Sequence, residues 1–114
     1  NAGMIAALQA EQDVLASEQS ALMQSLDAQL YVLLLEMAHS QHVIHTVQTD
    51  IVPTLEIALS EAGNAFERGQ LSYNQYSGVR RELLSAQTQL LEAFESLHLQ
   101  HIEIQRLTGT SLSQ

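Results

Sequence analysis

Apolar residues recur every seven positions along most of this chain. Leu8, Leu15 and Leu22 are seven apart, and Leu26 and Leu33 keep the interval. Leu30, Met37, Ile44, Ile51, Ala58 and Ala65 then hold it over five heptads. A sustained heptad stripe marks a helix that lays a narrow apolar seam against another helix. The pattern predicts one helix from Met4 to Phe66, roughly 90 Å long at about 1.5 Å per residue. Pro53 falls inside it. Proline has no N–H to give the Thr49 carbonyl, and its ring crowds that carbonyl. Because the stripe continues on both sides, the sequence predicts a kink across Thr49–Pro53 with the helix carrying on. A break with a fresh start at Pro53 is the lesser alternative.

The stretch Glu67-Arg68-Gly69-Gln70-Leu71-Ser72 has the chemistry of a tight reversal. Glycine takes the left-handed conformation that ends a helix, and the Ser72 hydroxyl is placed to cap the next one. A second helix is predicted from Tyr73 to Leu107. Its seam is Tyr76, Leu83, Leu90, Leu97 and Ile104, with Val79, Ala86, Ala93 and Leu107 three residues on. Thr108-Gly109-Thr110 stops it, and residues 110–114 are expected to fray. Two long helices with matching stripes and a short turn make an all-α antiparallel hairpin, a coiled coil with a longer first arm. Reflection about Gly69–Gln70 pairs residues whose numbers add to about 140, so the second arm reaches back only to about residue 31. Leu8, Leu15, Leu22 and Leu26 then have no partner within the hairpin, and the isolated piece is expected to self-associate.

Composition narrows the class. The chain has 114 residues, 46% of them hydrophobic, with one Pro, five Gly and no Trp, a mix that suits helices rather than a sandwich or barrel. The longest apolar run, Leu30 to Leu35, is about a third of the roughly 18 residues a membrane span needs. Four Arg, no Lys and thirteen acidic residues give a net charge of −9. That balance leaves no basic face for nucleic acid and disfavours an anionic membrane surface. Without cysteine there are no disulfides or thiolate metal sites. Asn1-Ala2 reads as the remnant of a cleaved expression tag, and the region from Gly3 to Gly109 as the hairpin.

Long helices do not by themselves gather a nucleophile, a base and an oxyanion pocket. No catalytic residue and no cofactor are expected. The histidines are the strongest candidate chemistry. His39, His42 and His45 are three apart, as are His98 and His101. The reflection pairs His39 with His101 and His42 with His98, a candidate site for Zn, Cu, Ni or Co. The plainer reading is a solvated Gln/His-rich stretch, since steps of three drift by about 60° around a helix. Arg80, Arg81 and Glu82 are candidates for pairing with Glu61 or Glu67 across the turn, or for a solvated face.

Ala65-Phe66-Glu67-Arg68-Gly69-Gln70-Leu71-Ser72-Tyr73 resembles the aromatic-x-x-Gly-x-x-Ser tip of the TolC-type outer-membrane efflux family. Arg81-Glu82-Leu83-Leu84-Ser85-Ala86-Gln87 and Leu90-Leu91-Glu92-Ala93 resemble the helix that follows that tip. Ile102-Glu103-Ile104-Gln105-Arg106-Leu107-Thr108-Gly109 is similar to the family's closing Glu-Leu-x-x-Leu-x-Gly. Val52-Pro53 and the helix from Ala58 to Ala65 resemble the heavy-metal, CzcC-like branch. The resemblance implies one helical hairpin of a periplasmic tunnel built from three protomers, in the periplasmic portion of a Gram-negative outer-membrane protein. It also implies a tip that meets a periplasmic adaptor protein through Phe66, Glu67, Arg68, Gly69, Gln70, Leu71 and Ser72. Leu71 is expected to point outward there. Family tips often carry Asp just past the turn; this chain has Asn74, Gln75 and Gly78. A generic coiled-coil or helical-bundle interaction module is the alternative.

Overall fold

A computed structural model describes residues 1–109. Helix α1 covers Ala2–Thr46, a π-helical turn follows at Val47–Ile51, and helix α2 continues over Val52–Glu67. After the turn, helix α3 runs over Tyr73–Thr108. The first arm therefore passes through Pro53 without a break, and α3 folds back along its distal part as an antiparallel hairpin. The Asn1 side chain accepts from the Met4 N–H at 2.8 Å, so Asn1, expected to be a tag remnant, is the N-cap of α1. The expected frayed tail at 110–114 lies outside the described residues.

The hairpin register is the expected one. The Ser40 hydroxyl meets the Gln100 side chain at 3.1 Å, two residues whose numbers add to 140. The seam of α3 alternates bulk and closeness. Ala86, Ala93 and Ile104 are buried, while Tyr76, Leu83, Leu90, Leu97 and Leu107 are half-buried. Small residues at the contact let two helix axes approach toward the short end of the usual 8–10 Å range. No strand is present among the described residues. Among the described residues no helix is long and apolar enough to cross a membrane.

The seam of the first arm differs from the expected one after Ile44. Leu26, Leu30, Leu33, Met37, Ser40, Ile44 and Val47 keep the alternating three- and four-residue steps of a heptad. The stripe then resumes at Val52, Leu55, Leu59 and Ala62. The step from Val47 to Val52 is five residues where the heptad calls for four. That extra residue lies within the π turn, where the Val52 N–H bonds the Val47 carbonyl five residues back. Ile51, expected in the seam, turns outward at 37% exposed. Ala58 and Ala65 sit at the edge of the stripe, half-buried.

Proline supplies the physical reason. A regular turn would aim the Thr49 carbonyl at a nitrogen that carries no hydrogen and a ring that crowds it. A π turn inserts one residue, re-spaces the bonds and lets the helix continue. Thr49 adds a hydroxyl bond to the His45 carbonyl at 2.6 Å. The molecule measures 98 by 30 by 15 Å.

Candidate functional site at the helical tip

The turn is closed by hydrogen bonds from both helices. The Gln70 N–H reaches the Ala65 carbonyl at 2.8 Å, and the Gly69 N–H reaches the Phe66 carbonyl at 3.0 Å. These two bonds make a Schellman motif, which satisfies carbonyls that a helix end otherwise leaves orphaned. The motif requires a left-handed residue, and Gly69 supplies it at φ +71°. A side chain built on Gly69 would meet nothing within 4 Å, so the constraint there is backbone conformation rather than space.

Ser72 begins α3 in an extended conformation. Its hydroxyl oxygen accepts from the Gln75 N–H at 3.1 Å. The Gln75 side-chain oxygen accepts in return from the Ser72 N–H at 3.0 Å. This reciprocal pair is a capping box. The cap at Ser72 is the expected one, while Gln75, which stands where family tips often carry Asp, adds the second half of the box. The signal for it was present, since Ser-x-x-Gln is the box pattern itself.

Beneath the turn lies an aromatic cluster. Phe66 stacks on Tyr76 with ring centres 5.4 Å apart and 9° between planes, and meets the edge of Tyr73 at 6.0 Å. The Arg80 guanidinium stands 5.9 Å from the centre of the Tyr76 ring, a cation–π contact. Arg81 Nη1 donates to the Ser77 hydroxyl at 3.2 Å. The expected pairing of Arg80, Arg81 or Glu82 with Glu61 or Glu67 is not formed. Among the described residues the ion pair is Arg106 with Glu103, one turn apart near the end of α3. Its arginine holds the Glu103 carboxyl below the ordinary carboxylate range, mainly through the hydrogen bond and further by charge.

Glu67, Arg68, Gly69 and Gln70 are exposed at the far end of the rod, as is Ser72. Leu71, expected to point outward, is half-buried. The exposed tip surface therefore combines polar Glu67, Arg68, Gln70 and Ser72 with the exposed rings of Phe66 and Tyr73. Phe66 is 38% exposed and forms the shoulder of that surface.

The histidine set is not assembled. His39, His42, His45 and His98 are exposed, and His101 is half-buried. Among the described residues no group of three or more His, Asp or Glu side chains converges in a way that could hold a metal ion. The seam explains this. At the height of the band, Ser40, Val43, Ile44 and Val47 face α3, and the three histidines of α1 fall on different flanks because each step of three turns by about 60°.

No known protein family, curated protein or solved structure matches the chain.

Proposed function

We propose that this chain is one helical hairpin of the periplasmic tunnel of a TolC-type outer-membrane efflux channel. In this reading it is a passive wall segment. It lies beside hairpins of other protomers and docks a periplasmic adaptor protein through its tip, while solutes or metal ions pass along the tunnel. The observation that carries the reading is the division of labour within Phe66-x-x-Gly69-x-x-Ser72. Phe66 stacks beneath the turn, Gly69 takes the left-handed position, and Ser72 caps the returning helix. The three residues of the resembling motif are thus the three that make the tip stiff. A capped tip with polar and aromatic exposed residues, on a 98 Å rod, suits end-on contact with another helical tip.

The uncovered stripe of α1 fits a segment walled in by neighbouring helices. It also fits an ordinary bundle protein, so the two readings need a test outside the hairpin. The coding sequence on either side of this chain supplies it. A tunnel hairpin is flanked by strand segments of a β-barrel and by a second, related hairpin. Flanks that encode only further heptad helices would favour the bundle module.

A further inference from the structure

Basic charge in this chain is gathered near the tip. Residues 68–81 hold Arg68, Arg80 and Arg81 and no Asp or Glu. All thirteen carboxylates lie outside that stretch, together with the fourth arginine, Arg106, which is paired with Glu103. Arg80 and Arg81 have no carboxylate partner among the described residues. Each is anchored instead on the turn before it, Arg80 over the Tyr76 ring and Arg81 on the Ser77 hydroxyl. A guanidinium has more N–H donors than either anchor uses, so both keep donors for a further acceptor.

The two arginines edge one groove of about 370 Å³ between α2 and α3. Its apolar wall is Leu59 of α2 with Leu83 and Leu84 of α3. Leu59 and Leu83 are half-buried, while Leu84 is 64% exposed. Along α3 the groove runs from Ser77 to Gln87, about 15 Å. Both walls lie within the paired part of the hairpin, so the groove is built by this chain alone, whatever precedes or follows it.

We propose that this groove binds a medium-chain amphipathic anion, with its carboxylate or sulfonate head on Arg80 and Arg81 and its tail along Leu59, Leu83 and Leu84. Three features select this ligand. The first is charge. Two guanidiniums without a carboxylate of their own favour an anionic head, and their planar donors match its oxygens. Each is already held on its own helix, so it loses little freedom when the head arrives.

The second is the wall. A head group alone would leave Leu84 in water, whereas an apolar tail removes leucine surface from it. The third is size. A groove of about 370 Å³ lies at the lower end of small-molecule sites. It is too small to supply the roughly 800 Å² that each partner gives to a standard protein interface. The inference rests on the groove alone and holds whether or not the hairpin belongs to a tunnel.

The test is to titrate decanoate into the full chain at neutral pH, below the concentration at which decanoate self-associates, and to follow leucine methyl signals by NMR. The methyls of Leu59, Leu83 and Leu84 should shift together and saturate. Changing Arg80→Gln with Arg81→Gln should weaken binding at least about 10-fold, since two exposed ion contacts are lost. Neither arginine is in an ion pair, so the double variant should keep its helical circular dichroism. Arg106→Gln should leave binding unchanged. Decylammonium has the same tail with the opposite charge, and acetate has the head without the tail. Neither should saturate these three methyls. Decylammonium binding in the groove as tightly as decanoate would overturn the proposal. So would decanoate shifts confined to Leu8, Leu15 and Leu22, or binding that the double arginine variant leaves unchanged.

Discussion

Gly69 and Ser72 carry the turn by different means, and substitution should separate them. Gly69→Ala imposes a left-handed conformation that costs an ordinary residue about 1 kcal/mol or more. Ser72→Ala removes a cap and leaves the Gln75 N–H without its acceptor, a loss of about 1 kcal/mol. Ser72→Asp should be close to neutral, since aspartate caps as well. Thermal unfolding followed by circular dichroism measures all three, and a Gly69→Ala chain as stable as the parent would contradict the account of the turn. Glu103 predicts a small pH effect. Its lowered carboxyl stabilises the fold above the ordinary carboxylate range, and that contribution is lost as pH falls through its folded value. Glu103→Gln should therefore remove a part of the stability difference between neutral pH and about pH 3. At this scale the motif residues were legible because each has a distinct chemistry. The half-burial of Leu71 was not, since an apolar residue between polar neighbours reads as exposed until the turn's closure is known.

The helices were legible from period alone, while the phase of the first arm beyond Pro53 was not. Two rows of apolar residues run there side by side. Ile51, Ala58 and Ala65 continue the earlier seven-residue count, and Val52, Leu59 and Phe66 follow it one residue later. Both are apolar, so the pattern cannot choose between them. The π turn chooses, by inserting one residue at Val47–Ile51. This makes a testable prediction. Removing Gln48 together with Pro53→Ala should delete the extra residue and restore the missing N–H. Val52, Leu55, Leu59 and Ala62 would then follow Val47 in an unbroken heptad, and the melting temperature should rise. Proline inside a regular helix costs about 3 kcal/mol, so the deletion without Pro53→Ala should destabilise instead. Removing Gln89 from the regular helix α3 turns every later seam residue by about 100° and should lower stability sharply. A loss of stability in the Gln48 double change would refute the insertion account.

Taken whole, the molecule is a thin rod with more apolar stripe than its own second arm can cover. Buried hydrophobic residues number five among the described residues, and three of them are alanines. Such a core gives little stability by itself, so association and folding should be linked. The net charge of −9 opposes that association. Raising salt from about 0.05 to 0.5 M, which shortens the screening length severalfold, should therefore tighten assembly and raise the melting temperature. Weakening with salt would show that an attractive charge contact holds the assembly.

The proposal that the tip docks a periplasmic adaptor is tested most directly by crosslinking in the full-length protein, the channel this hairpin is proposed to belong to. Gln70 is the position to use, because it is exposed where Leu71 is half-buried. Gln70→Cys should crosslink to the adaptor, while Gln89→Cys, exposed at mid-arm, should not. Gly69→Val should abolish both the crosslink and efflux while trimer assembly and outer-membrane insertion persist. Normal efflux by Gly69→Val, with no adaptor crosslink from Gln70→Cys, would contradict the account and leave the hairpin as an ordinary coiled-coil module.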